Sequence, residues 1–497
     1  LQNLDVVACA IIFYGEAITE DLTAMALLFS GIGGSGMLPL AMILQHQGKT
    51  VFGSDRSRDQ GKTPEKFAWL EAHGIEMFAQ DGSGSLDPRV DTLVISTAVE
   101  PTVPDVAKAL ERGLTIKKRA EVLADCINSA PKRVIVAGTS GKSTTTGMLG
   151  YILHELGKAP TVMNGAVFRN YASGSDNPFC SALLGNGDIF VAEGDESDGS
   201  LALYQPSLAV LNNISLDHAD MDELKRRFSS FINKAPKAIV NLDDAEAATL
   251  LSDYAGQAIT TSLTQPQATY CAMDIVQSAT SVSAALYVRG QQAAHLTLNV
   301  PGLHNLSNAL QAIATAAELG CSVEDCCRAI AGFAGVKRRL ETVGTSASTH
   351  ITVIDDFAHN PDKIAATLRT LRQFDGRLVV YFQPHGFGPL RLMRHEFVQT
   401  FAQHLAKDDV VVMPEPYYAG GTVDRSVTSH HLIEDMLGLG LNAYLVQGRE
   451  EGRELLLDTL KPHDRLVIMG ARDDTLSVFA RELLQQLDEK QQAAVRA

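Results

Sequence analysis

At 497 residues the chain is too long for one hydrophobic core and implies about three domains. Its 45% hydrophobic and 20% charged residues are the composition of an ordinary water-soluble globular protein. A formal charge of −16 argues against a nucleic-acid partner, which wants a basic face, while leaving room for glycine loops and arginines to hold a small anion. The seven cysteines are odd in number and contain no C-x-x-C pair, so neither a disulfide framework nor a zinc site is expected, and the cytoplasm is the expected compartment. Val6 to Tyr14 is apolar but too short to span a bilayer, and Asp5 stands where a signal peptide would be basic. Residues 1–24, ahead of Met25, read as a dispensable extension.

The first strand, 26–30, runs into Gly31-Ile-Gly-Gly-Ser-Gly-Met37 and a helix through Leu38, Leu40, Ile43 and Leu44. A second strand, 50–53, ends at Ser54-Asp55. This is a βαβ unit with a Gly-x-Gly-Gly-x-Gly loop and an acidic residue roughly 20 positions on, the layout of a dinucleotide fold. Such a loop holds a diphosphate without saying which one, so a nicotinamide oxidoreductase is one reading of this segment alone. Further αβ alternation follows, with helix 64–73, strand 92–96, helix 104–112, strand 115–116 and helix 119–127. Asn128-Ser-Ala-Pro131 reads as a linker.

The chemistry centres on Lys132-Arg-Val-Ile-Val-Ala-Gly-Thr-Ser-Gly-Lys-Ser-Thr144. An apolar strand turns through Gly138, Thr139, Ser140 and Gly141 into a helix carrying Met148, Leu149, Ile152 and Leu153. A helix N-terminus after a glycine turn offers backbone N–H groups and a positive dipole end to an anion. Lys142 adds a charge for the outer phosphates, and the Ser143 hydroxyl suits a Mg²⁺ ion. The spacing is shorter than the commonest phosphate loop, because residue 136 is Val and the first glycine is Gly138.

Strand 188–192 then delivers Glu193-Gly-Asp-Glu-Ser-Asp198, and strand 208–211 delivers Asn212-Asn-Ile-Ser-Leu-Asp-His218. Carboxylates and a histidine at two strand ends beside a phosphate loop form a plausible hard-cation site. Residues 255–300 alternate as a β-rich extension, and helix 305–319 follows Gly302-Leu-His304. The remaining segment opens with Lys337-Arg-Arg339. Strand 351–354 leads to Asp355-Asp-Phe-Ala-His-Asn-Pro361, and strand 378–382 to Gln383-Pro-His385, in a third, doubly wound unit. The expected boundaries are 1–25 for the extension, then domains 26–130, 131–335 and 336–497.

In this order the motifs resemble the Mur ligases of peptidoglycan precursor synthesis, from about residue 26 to the C-terminus. The resemblance implies an α/β protein of three domains: a Rossmann-like UDP-binding domain, a central P-loop ATPase-type domain and a Rossmann-like C-terminal domain. It implies an ATP-dependent ligase: a carboxylate of a UDP-N-acetylmuramate-like substrate is phosphorylated, and an amine, L-alanine in the members most resembled, displaces phosphate. Gly31, Gly33, Gly34, Ser35, Gly36 and Met37, with Asp55, would meet the UDP-sugar. Gly138 to Thr144 would cradle ATP, with His304 and Asn305 at the adenine, Asp356 at the ribose and Arg339 at the phosphates. Ser143 and Glu193 would hold one Mg²⁺ and His218 a second, and His359 would stand near the amine. The catalytic set implied is Lys142, Glu193, His218, Arg339 and His359.

Three departures lie in the third domain. Alanine-adding members usually carry Asp-Tyr-Gly-His-His-Pro, where this chain has Asp356-Phe-Ala-His-Asn-Pro361. Gly386-Phe-Gly-Pro-Leu-Arg391 replaces a basic run, and Tyr417-Tyr-Ala-Gly-Gly-Thr422 lacks an acidic residue. They leave open a ligase that adds a murein peptide or another amine. An inactive UDP-sugar and ATP sensor is the rival of a different class.

Overall fold

The computed structural model describes residues 25–96, 99–172, 177–196, 199–216, 220–417, 424–471, 473 and 475–496. The proposed extension, together with His218 and residues 418–422, lies outside them. The chain divides into two compact units, up to Arg119 and from Ala120 onward.

The first unit holds a five-stranded parallel sheet in the order Glu76–Phe78, Thr50–Ser54, Ala26–Ser30, Thr92–Ile95, Thr115–Lys118. Every residue of Ala26–Ser30 is buried, as a central parallel strand covered on both faces requires. Chain order reverses beside this strand, and a crevice at the strand C-termini there is where such sheets take ligands. Asp105, fully buried, accepts hydrogen bonds from Ser30 Oγ (2.9 Å), Ser54 Oγ (2.5 Å) and the Gly82 N–H (3.1 Å), joining the two strand ends that carry the glycine loop.

The second unit contains two sheets. The larger has ten strands in the order Gln291–Leu298, Val282–Val288, Tyr270–Gln277, Gln257–Ser262, Lys237–Asn241, Leu208–Leu211, Lys132–Ala137, Ile189–Gly194, Thr161–Met163, Ala182–Leu183. The 255–300 extension is therefore a continuation of the sheet that carries the Gly138–Lys142 loop, turned antiparallel from Tyr270–Gln277 outward. Helices Lys142–Glu155 and Leu303–Glu318 share one core, with Met148, Leu149 and Ile152 in the same cluster as Leu306, Leu310 and Ile313. The other sheet runs Glu341–Thr345, Thr352–Asp356, Arg465–Gly470, Leu378–Gln383, Val410–Pro414, Asn442–Val446, parallel except for its first strand. Separate apolar clusters cover its two faces, one built with Ile364, Phe397 and Leu432, the other with Leu456, Phe479 and Leu483. The doubly wound expectation holds.

One local reading needs correcting, and one strand goes beyond the expected set. Asn128 is the last residue of helix Arg119–Asn128 rather than the start of a linker. Its side chain accepts from the Gln205 N–H and donates to the Leu203 carbonyl, contacts between residues far apart in sequence. Strand Glu341–Thr345 is not among the expected strands, because Gly344 and its half-exposed neighbours leave no apolar run. Among the described residues no helix is long and apolar enough to cross a membrane.

Asp105→Ala would strand two buried hydroxyls and an amide. It is expected to destabilise the first unit by about 1–3 kcal/mol, read as a lower denaturant midpoint, with Asp105→Asn losing less.

Candidate functional site

The glycine loop of the first unit is closed on itself. Gly31 and Ile32 donate to the Ser54 carbonyl, and Gly34 donates to Gly31. Asp55, expected at the sugar nucleotide, accepts from the Gly33 N–H (2.9 Å) through one oxygen and from Ser57 N–H (2.8 Å) through the other. A Cβ on Gly33 would come within 2.9 Å of that carboxylate, so glycine is what permits the approach. Asp55 thus shapes the loop. Gly36 caps the helix beginning at Met37, which with Ser35 completes the turn.

The phosphate loop leaves Lys132–Ala137 through Gly138, whose φ of 132° suits glycine, and a Cβ there would lie 3.0 Å from that of Asn212. Asn213 braces the loop: its carbonyl accepts from Thr139 N–H (3.1 Å) and its side-chain oxygen from Ser140 N–H (2.8 Å). Asn212 donates to the Ser140 carbonyl and to Thr145 Oγ1, and Thr139 Oγ1 donates to the Ser215 carbonyl. Thr144 is buried at the helix start, and Ser140 Oγ is buried with no hydrogen-bond partner among the described residues. Neither asparagine was singled out from sequence, although both sit in the quoted strand end after Leu211.

Charges gather at the mouth of this loop. Lys142 Nζ donates to the Gly138 carbonyl (2.6 Å) and to Glu196 Oε2 (2.8 Å), a carboxylate only 3% exposed. Arg227 holds the Glu196 carbonyl at 2.7 Å. Ser143 Oγ donates to Glu193 Oε2 (3.0 Å), and the Gly165 N–H donates to the other Glu193 oxygen. Burial pushes the Glu193 carboxyl above its ordinary range, while the Gly165 amide, Arg339, Lys142 and Ser143 oppose that rise. Arg339 arrives from the segment before the third sheet and donates to Ser143 Oγ at 3.3 Å, its guanidinium 4.5 Å over the Phe357 ring. Lys142, Ser143, Glu193 and Arg339 are thus brought together; Glu196 is the member that sequence reasoning missed.

Ser143 and Glu193 supply two adjacent oxygen donors beside an anion loop. Mg²⁺ characteristically takes one or two carboxylates and completes its shell with water and phosphate oxygens, so these residues fit it. Among the described residues no group of three or more His, Cys, Asp or Glu side chains gathers into a protein-only cage.

His304 lies against the third-sheet helix Pro361–Arg372, with Nδ1 3.4 Å from Thr370 Oγ1. The protein packed around it, with Arg369 adding, pushes its pKa down to about 4. Asn305 is buried and donates to the Pro301 carbonyl at 2.7 Å. Asp356 has both oxygens engaged, by the Leu340 N–H (3.0 Å) and by Thr367 Oγ1. His359 lies 2.8 Å from the Phe357 carbonyl through Nδ1, which must therefore donate, leaving Nε2 as acceptor 3.4 Å from Lys363 Nζ. The His385 ring stands edge-on to it at 4.8 Å. Burial, with Lys363 and His385 adding, holds His359 well below its ordinary value.

Three family descriptions match the chain in order: the Mur ligase family catalytic domain over residues 27–130, the Mur ligase middle domain over 136–316, and the Mur ligase glutamate ligase domain over 338–472. A UDP-N-acetylmuramate--L-alanine ligase from a Synechococcus strain is 36% identical, the match covering 91% of each chain. One from Dictyoglomus turgidum is 33% identical, over 90% of this chain and 95% of its own. Among solved structures, the UDP-N-acetylmuramate-alanine ligase from Thermotoga maritima is 26% identical with a TM-score of 0.75, over 95% of this chain and 100% of its own. A murein peptide ligase from Psychrobacter arcticus is also 26% identical, with a TM-score of 0.68, over 93% and 99%.

Were Lys142 to meet a phosphate, it would have to leave Glu196. Glu196→Gln removes that competition and is expected to tighten binding of a non-hydrolysable ATP analogue by about tenfold, measured by calorimetry; weaker binding would mean Glu196 aims the lysine instead. His304 makes a second expectation. Between its ordinary 6.5 and about 4 the unfolded chain takes up a proton that the folded chain refuses, so its contribution makes stability fall as pH falls through that window. Denaturation of His304→Gln across those pH values should show a shallower slope than the parent.

Proposed function

The chain belongs to the Mur ligase family, and on that premise we propose that it is an ATP-dependent ligase joining the carboxylate of a UDP-N-acetylmuramate-like substrate to L-alanine, with release of ADP and phosphate. The observation that carries the reading is the meeting of Arg339 with Ser143, which puts a cation from the third-sheet side at the end of the phosphate loop. The names of the relatives support the substrates.

A carboxylate is a poor electrophile and must be activated before an amine can attack it. Its oxygen attacks the γ-phosphorus of ATP, the bond to ADP breaks, and an acyl phosphate results; the amine then adds to the acyl carbon and phosphate leaves. The N–H groups of Gly138 to Thr144 and the helix start cradle the phosphates. Lys142, released from Glu196, and Arg339 spread the charge of the transferring phosphoryl group, where catalysis is mostly positioning and electrostatics. Ser143 and Glu193 would hold one Mg²⁺ and His218 a second, and the bound ions would neutralise phosphate oxygens. His304 and Asn305 are assigned to the adenine and Asp356 to the ribose. His359, neutral and with Nε2 as acceptor, suits the proton that the incoming ammonium must lose. Gly31 to Met37, on a loop shaped by Asp55, are assigned to the UDP-sugar. The reading allots the sugar nucleotide to residues 26–130, ATP to 131–335 and the amine to 336–497, in a bacterial cytoplasm that supplies all three.

The test is inorganic phosphate release with ATP, Mg²⁺ and UDP-N-acetylmuramate, comparing L-alanine, other amino acids and a murein tripeptide. Release dependent on L-alanine is expected, and Lys142→Ala should lose at least about a hundredfold in kcat. Release with only the tripeptide or another amino acid would overturn the assigned amine. Silence with every amine, despite ATP and UDP-sugar binding, would overturn the ligase reading.

A further inference from the structure

The link that carries Arg339 has an unusual backbone. Arg338 and Leu340, the residues on either side, both have left-handed φ values, 58° and 50°. Non-glycine residues pay for that conformation and keep it only where the surroundings enforce it. The surroundings here are explicit. The Arg338 guanidinium, buried, donates to the Gly470 carbonyl (2.7 Å), the Asp473 carbonyl (3.2 Å) and Asp355 Oδ1 (3.3 Å). Its backbone N–H donates to Glu341 Oε2 (2.8 Å), and its carbonyl accepts from the Phe357 N–H (2.8 Å). The same Phe357 ring lies 5.1 Å from the Arg338 guanidinium and 4.5 Å from that of Arg339. Arg338 is thus bolted to the C-terminal ends of two neighbouring strands of the third sheet, Thr352–Asp356 and Arg465–Gly470. Arg339 is left pointing the other way, at Ser143 of the phosphate loop.

The geometry points to Arg338 as a positioning residue for the ligase reaction, acting through Arg339. It converts the placement of the third sheet into the placement of one guanidinium at the transferring phosphoryl group. The side chain does this, because a rigid fork carries its donors on three separate nitrogens, which here meet a carboxylate and two carbonyls, whereas an ammonium carries all its donors on one nitrogen. This rests on the proposed reaction for its kinetic readout, but the contacts themselves do not depend on which amine is added.

The test is a double-mutant cycle on Arg338 and Arg339, reading kcat and KM for ATP by phosphate release. Arg338→Ala is expected to lower kcat by about ten- to a hundredfold, the cost of misplacing a catalytic group by about 1 Å, with UDP-sugar affinity unchanged. In an Arg339→Ala background the same change should cost less than about twofold, since a residue acting through another has nothing left to act on. Arg338→Gly, which relieves the left-handed backbone but removes the fork, should lose as much as Arg338→Ala. Arg338→Lys should recover only part, and it carries the cycle if Arg338→Ala does not fold. Losses that multiply in the double variant, or full activity in Arg338→Gly, would overturn the proposal. Should the parent chain turn over no amine, the ligase reading fails separately, and the cycle is read on affinity for a non-hydrolysable ATP analogue with the same two outcomes.

Discussion

A loop that binds phosphate through backbone N–H groups must keep those groups aimed at one point while nothing occupies it. In this chain the burden falls on Asn212 and Asn213, whose side chains and carbonyl hold the Thr139, Ser140 and Thr145 positions from the neighbouring strand. Strand Leu208–Leu211 can do so because it lies directly beside Lys132–Ala137 in the parallel register. The strand on the other side, Ile189–Gly194, delivers Glu193 at the same level. Sheet order therefore decides which side chains surround the anion.

The same place must also tolerate its own charges. Lys142 and Glu196 satisfy each other, and Glu193 is stabilised by an amide, a hydroxyl and two cations. Such neutralisation is what lets ionised groups lie in a site partly withdrawn from water, where an unpaired charge would be costly. On the proposed reading, nucleotide binding is an exchange of partners, with Lys142 trading a carboxylate for a phosphate. Arg339 adds a cation that the ATP-loop sheet does not itself carry, and Arg338 ties that cation to the sheet where the amine is assigned. On the proposed reading, drawing site residues from both sides makes the chemistry depend on both being in place, which would keep water from an acyl phosphate.

Much of this was legible beforehand. The two glycine loops, the strands that precede them and the doubly wound third sheet are short-range patterns, and the elements named from sequence fall within a few residues of their expected bounds. Lys142, Ser143, Glu193 and Arg339 were named from motifs, and they do converge. What was not legible has a common character. Glu196 lies in a quoted motif, yet nothing local says that it reaches Lys142, 54 residues away in sequence. Asp55 was expected beside the sugar nucleotide, and nothing local says that one of its oxygens accepts from the Gly33 N–H of the glycine loop while the other accepts from Ser57 N–H. Arg338 read as one more charge in a basic run beside Arg339, when it is buried and fully engaged.

A strand, a glycine turn and a helix start are held by bonds between near neighbours, so residue order is enough to specify an anion site and the nucleotide chemistry it serves. Direction and protonation are different. Whether Lys142 faces a carboxylate, whether His359 is neutral with Nε2 as its acceptor, and which of two adjacent arginines meets the phosphate loop depend on desolvation and on partners brought close by folding. Those quantities are properties of packed neighbours, and they exist only once the sheets have assembled.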